Sequence, residues 1–92
     1  MALETQGYRF EMVEQYATQR GIAWWGNIYH NDQKIGTADN QGSGGQTAIR
    51  ISDPQQRAAY NAAADRACPR SYEAPSRFAE RLADYADGYD DA

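Results

Sequence analysis

The sequence predicts a small α+β domain, an antiparallel sheet of three to four strands packed against two helices. Residues 7–52 hold both tryptophans, the isoleucines and seven of the eight glycines, while residues 54–87 are rich in alanine. Aromatic and β-branched residues suit strands, and alanine suits helices. Ninety-two residues leave room for one domain and a thin core. Residues 1–92 therefore read as a single unit: strands over about 7–52, helices over about 54–67 and 75–87, and an acidic tail over 88–92.

The first strand is expected over Gly7 to Tyr16, where Tyr8, Phe10 and Met12 alternate with Arg9 and Glu11. The alternation slips at Val13, which suggests a bulge; a short helix from Glu11 to Arg20 is the competing reading. Thr18-Gln19-Arg20-Gly21 reads as a turn. Ile22 to His30 follows as a strand, with Ile22, Trp24 and Ile28 on one face and Ala23, Trp25, Asn27 and Tyr29 on the other. Gly26 leaves a gap beside Trp24, the place for a bulge or a close neighbour. His30-Asn31-Asp32-Gln33 supplies turn residues for a hairpin that leads into a strand over Lys34 to Ala38. A polar, glycine-rich loop over 39–45 leads to the last strand, Gln46 to Ser52.

Asp53-Pro54 signals a helix start, an N-cap acceptor followed by a proline at the first helical position. This helix should end near Ala67, before Pro69, with Ala58, Ala62 and Ala63 forming a smooth face for the sheet. The second helix starts near Pro75-Ser76. Phe78, Leu82, Tyr85 and Ala86 give it an apolar stripe, and Arg77, Glu80, Arg81 and Asp84 fall on its remaining surface. Gly88 should end it.

Nine basic residues stand against thirteen acidic ones, a net charge of −4. That balance disfavours binding to free DNA, where phosphate contacts call for an excess of Lys and Arg. It suits a basic partner surface. The single cysteine, Cys68, cannot form an internal disulfide, which points to a reducing, cytoplasmic setting. Met1 to Thr5 do not read as the start of a signal peptide, and no apolar run approaches the length of a membrane span.

No set of residues reads as a catalytic centre or a metal site. The glycines after Asp39 are followed by a strand-like segment, whereas a phosphate-cradling loop opens directly into a helix. His30, the only histidine, has no second ligand at a useful spacing. No cofactor is expected.

The candidates for binding lie on the surface. Trp24 and Trp25 are adjacent on a strand and must point to opposite faces, so helices on one side can bury only one of them. Trp25, with Tyr29 and Tyr8 as neighbours, is then either an exposed interface anchor or covered by the second helix on the other face of a thin sheet. Arg9, Lys34 and Arg50 are placed on the solvent face of the sheet; arginine forms bidentate contacts well suited to interfaces. Asp84, Asp87, Asp90 and Asp91 form an acidic patch at the end of the second helix, where their charge opposes the helix dipole. These nine residues, Trp25, Tyr29, Arg9, Lys34, Arg50 and the four aspartates, are the expected partner-binding set.

The stretch Trp24-Trp25-Gly26-Asn27-Ile28-Tyr29 through Lys34-Ile35-Gly36-Thr37-Ala38-Asp39-Asn40-Gln41-Gly42-Ser43-Gly44-Gly45 looks like a strand–turn–strand–glycine-loop element of small phage proteins. With its length, acidic balance and lack of a catalytic set, the whole chain resembles small phage-encoded anti-CRISPR proteins acting on type I, in particular type I-F, surveillance complexes. The resemblance carries no functional residue over. It implies a non-enzymatic inhibitor that evades host defence in the bacterial cytoplasm. Such an inhibitor binds the Cas proteins of the complex (Cascade), with guide RNA within its reach, and blocks target DNA binding. The alternatives from the residues themselves are a regulatory module of another complex, a homodimer built on a sheet edge, and a small enzyme using His30 with a carboxylate.

Overall fold

In a computed structural model, which describes residues 5–42, 47–69 and 72–86, the chain forms four antiparallel strands followed by two helices. The elements are β1 (Tyr8–Thr18), β2 (Gly21–His30), β3 (Gln33–Asn40), β4 (Ala48–Arg50), α1 (Pro54–Ala67) and α2 (Ala74–Ala86). The strands are joined as a simple meander in the order β1-β2-β3-β4. Among the described residues, no helix is long and apolar enough to cross a membrane.

The alternation of Tyr8, Phe10 and Met12 makes β1 a strand, and the competing helix over Glu11 to Arg20 does not form. The expected irregularity is present, since the β1–β2 register shifts between Met12 and Glu14. β1 runs longer than expected because its turn is tight, and β3 gains Gln33 at the other turn and Asp39-Asn40, expected in the loop, by pairing with Trp25 and Trp24. Thr18 pairs with Gly21, and the Thr18 hydroxyl holds the turn by accepting from the Arg20 and Gly21 amides at 3.2 and 3.1 Å. At the other hairpin His30 pairs with Gln33, leaving only Asn31 and Asp32 in the turn, at φ 50° and 68°. These two positive φ values match the right-handed twist of the flanking strands, and Asn and Asp tolerate them. β4 is shorter than the expected 46–52; Gln46 lies outside the described residues, and strand pairing stops at Arg50.

Both helices pack on the same face of the sheet. Tyr8, Phe10, Ile28, Ala38 and Ile51 meet Tyr60, Ala63 and Ala64 of α1 and Phe78, Ala79, Leu82 and Ala83 of α2. At the centre, the Tyr8 ring lies edge-on to Tyr60 at 5.4 Å and to Phe78 at 5.8 Å. Each fully buried ring contributes roughly 2–3 kcal/mol of apolar transfer. Burial pushes the Tyr60 hydroxyl well above the usual tyrosine range. That hydroxyl donates to the Pro75 carbonyl at 2.8 Å, tying α1 to the start of α2.

The buried stripe of α1 differs from the expected one. Ala58 and Ala62 are exposed, and Tyr60, Ala63 and Ala64 face inward with Ala67 half-buried. Tyr60 is the only large apolar side chain in this helix, so burying it fixes the rotation and turns Ala58 and Ala62 outward. The N-terminus forms as expected, with the Asp53 carboxylate accepting from the Gln55 amide at 2.9 Å and Pro54 in the first turn. In α2, Phe78 and Leu82 face the sheet. The side chains of Tyr85 and Ala86, together with the expected stop at Gly88, lie outside the described residues.

Glu80 is not the plain surface residue expected. It accepts from the Thr47 hydroxyl at 2.8 Å, and Asn40 donates to that same hydroxyl at 3.1 Å. Ser76, itself buried, donates to the Thr47 carbonyl at 2.6 Å. This polar network fastens the entry of β4 to α2, and it satisfies groups that would be costly to bury unpaired.

Gly26 fills the structural role suggested by the gap beside Trp24. The Phe10 ring occupies the space and stands edge-on to Trp24 at 5.4 Å. A Cβ at Gly26 would collide with the Glu11 carbonyl oxygen and the tip of the Phe10 ring. Gly26→Ala should therefore lower unfolding free energy by about 2–3 kcal/mol through overpacking, read as a lower urea midpoint at unchanged slope. Tyr60→Phe should cost about 1–2 kcal/mol, because the Pro75 carbonyl loses its donor. A Gly26→Ala protein as stable as the parent would contradict the Phe10–Trp24 packing described above.

Candidate partner-binding face

With both helices on one side, the other side of the sheet is open to solvent. The register aligns its side chains in three rows. Arg9, Tyr29 and Lys34 form the first, Glu11, Asn27, Thr37 and Arg50 the second, and Glu14, Trp25, Asp39 and Ala48 the third. Tyr16 follows opposite Ala23. The expectation that Arg9, Lys34 and Arg50 share this face with Trp25 and Tyr29 matches the structure. Tyr8 does not belong here; it is on the helix side, because strand alternation places it with Phe10. Ile22 lies on the helix side as expected but is 53% exposed, since the helices do not extend under the distal end of the β1–β2 hairpin.

The polar side chains of the first two rows hold one another in place. The Arg9 guanidinium lies over the Tyr29 ring, 4.2 Å from its centroid, with Asp32 at 3.8 Å. Glu11 accepts from the Asn27 amide at 2.9 Å and from the Tyr29 hydroxyl at 3.3 Å. The Asn27 bond is the main reason the Glu11 carboxyl sits below the ordinary glutamate range; desolvation opposes it, while Tyr29, Arg9 and Lys34 add to the lowering. The Asn27 side-chain oxygen Oδ1 is buried with no partner among the described residues. Between the second and third rows, Arg50 Nε donates to Asp39 Oδ1 at 3.2 Å. A groove of about 660 Å³ opens beside that pair, lined by Tyr16, Trp25, Thr37, Asp39, Gln41 and Arg50 among others. Trp25 is 38% and Tyr16 56% exposed, large apolar rings that a free-standing fold leaves half in water.

No known protein family, curated protein or solved structure matches this chain.

The remaining candidates are dispersed. Asp84 is exposed on α2, away from the open face, and Asp87, Asp90 and Asp91 lie outside the described residues. His30 stacks on Tyr8 at 4.1 Å with the rings 16° from parallel, a packing position at a hairpin end. Cys68 is buried at the C-cap of α1. Among the described residues, no three His, Cys, Asp or Glu side chains come together as a metal site would require. Of the glycines in the polar loop expected over 39–45, Gly42 is described. It lies against the backbone of Ile22 and Ala23, where a Cβ would come within 2.8 Å of both.

Glu11, Glu14, Tyr16, Asn27 and Asp39 belong to the face and are absent from the expected set. Glu11, Asn27 and Asp39 follow from alternation alone once the strand pairing is known. Glu14 and Tyr16 do not, because the shift at Val13 reverses the side to which later residues of β1 point.

Glu11 should titrate by NMR with a midpoint below ordinary glutamates, and Asn27→Ala should move it upward. A carboxyl lowered in the folded state stabilises the fold above its unfolded pKa, about 4.3, and that stabilisation disappears as pH falls through the lower folded midpoint. The stability gap between the parent and Asn27→Ala should accordingly narrow as acid is added. A Glu11 midpoint unchanged by Asn27→Ala would show that the hydrogen bond is not formed.

Proposed function

We propose that this protein is a non-enzymatic inhibitor that binds a type I CRISPR RNA-guided surveillance complex through the open face of its sheet and blocks target DNA binding. The observation that carries the binding part is that face itself, where Trp25 and Tyr16 stand exposed among side chains held by hydrogen bonds and ion pairs. Ordered aromatic and arginine side chains lose little entropy on docking, and such residues dominate binding energy at protein interfaces. The choice of partner rests on the resemblance of the chain to phage-encoded anti-CRISPR proteins. The net charge of −4 supports it, since a path built to hold DNA is basic and attracts an acidic protein.

In this reading the protein acts by occupancy. It turns over no substrate, and it inhibits in proportion to the complexes it fills. Binding should weaken as salt rises, because the charged part of the attraction is screened over about 8–10 Å at physiological ionic strength.

A second reading has its own observation. β1 is an eleven-residue strand at the sheet edge, and the exposed Val13 and Tyr16 lie along it. An open edge of that length can pair with another copy of the chain. Sedimentation at low micromolar concentration tests this reading: a stable dimer with no affinity for the surveillance complex supports it in place of the first.

The main test uses purified type I complex and labelled target DNA in a gel-shift assay. The parent protein should abolish the DNA shift at stoichiometric amounts. The double variant Trp25→Ala/Tyr29→Ala should need at least tenfold more protein, a loss of about 1.4 kcal/mol or greater, with its circular dichroism unchanged. Full blocking by the folded double variant, or no blocking by the parent, would overturn the proposal.

A further inference from the structure

We infer that Trp25 is the seat of an arginine side chain from the protein partner, with the guanidinium lying across the indole between the carboxylates of Glu14 and Asp39. This rests on the open face being the docking surface and specifies the chemistry of its anchor.

The strand register places Glu14 directly opposite Trp25 on one side and Asp39 directly opposite it on the other. Directly paired residues in antiparallel strands have Cβ atoms about 4.5–5.5 Å apart. An indole flanked in this way presents a π-face bordered by negative charge on both sides. Such a surface repels an anion and attracts a planar cation, which gains the ring quadrupole and two acceptors together.

The face already contains a smaller version of this arrangement, completed from within the chain. One row away, the Tyr29 ring is capped by the Arg9 guanidinium at 4.2 Å, with the Asp32 carboxylate at 3.8 Å. Among the described residues, no cation lies over Trp25. Arg50 reaches only the far side of the site, where Nε bonds Asp39 Oδ1. Glu14 and Asp39 against Arg50 leave one net negative charge around the ring, enough for one incoming guanidinium. The adjoining groove of about 660 Å³, with Tyr16 and Thr37 in its lining, has room for the aliphatic stem and the flanking peptide. Arginine fits better than lysine because its planar group stacks on the ring while its N–H fork reaches carboxylates in the same plane.

The test uses the full chain labelled with nitrogen-15, titrated with N-acetyl-Gly-Arg-Gly-amide and, separately, with the same peptide carrying neutral citrulline. The arginine peptide should shift the Trp25 indole N–H resonance saturably at millimolar concentration. The citrulline peptide should produce no saturable shift. Glu14→Gln and Glu14→Gln/Asp39→Asn should weaken the arginine response in steps, the double variant by about fivefold or more, because exposed pairs contribute modestly one at a time. Glu14→Gln alone leaves the Arg50–Asp39 pair intact, so its effect is free of any rearrangement there. Equal responses to arginine and citrulline, no response at Trp25, or unchanged affinity in both variants would each overturn the inference. None of these outcomes depends on the surveillance complex, so failure here is distinct from failure of the gel-shift assay with Trp25→Ala/Tyr29→Ala.

Discussion

Two helices, of fourteen and thirteen residues, pack on one side of a four-stranded sheet, and that coverage determines which residues the other elements must place in water. The aromatic cluster of Tyr8, Tyr60 and Phe78 fixes the helices against β1 and sets their rotation. Once Tyr60 is buried, its hydroxyl needs an acceptor, and the Pro75 carbonyl supplies one across the inter-helix connection. The position of α2 then follows, and with it the hold of Ser76 and Glu80 on Thr47 at the entry of β4. A single apolar cluster thus organises the whole covered side, leaving the open side free of any duty to the core.

That separation matters for function. A chain this small has little interior to spare, and a cleft lined by reactive groups would compete with the core for the same residues. The open face avoids that competition. Its side chains are ordered by one another, through the Arg9–Tyr29 stack, the Asn27–Glu11 bond and the Arg50–Asp39 pair. Each of these contacts is weak in water taken singly. Together they limit the conformations of the side chains around Trp25, and in the proposed reading this reduces the entropy lost on docking.

Much of the architecture was legible in the residues. Strand alternation in Tyr8 to Met12 and in Ile22 to His30, the Asp53-Pro54 helix start and the slip at Val13 all reflect local steric and hydrogen-bonding preferences, and each has its counterpart in the fold. The rotation of α1 was not legible, because its alanines are nearly equivalent by hydropathy and only the position of Tyr60 relative to the sheet distinguishes them. The role of Glu80 was hidden for a related reason: a glutamate on a helix reads as solvated until a distant residue, here Thr47, is brought against it. On the open face, Trp25, Tyr29, Arg9, Lys34 and Arg50 could be named from alternation. The acidic partners in their rows could not, since cross-strand pairing depends on registers that no single strand encodes.

The irregularity between Met12 and Glu14 has a further consequence for how the chain can vary. Up to Met12, even-numbered residues of β1 look toward the helices; beyond it, Glu14 and Tyr16 look away from them. The extra residue thus acts as a parity switch within one continuous strand. Deletion of Val13 would regularise the pairing while leaving Glu14 opposite Trp25 and Tyr16 opposite Ala23, because β2 decides which face each of them takes. The core would scarcely register the change, because that arm lies beyond the helices. The bulge therefore lets β1 absorb a one-residue change in length without altering which side chains the exposed surface presents.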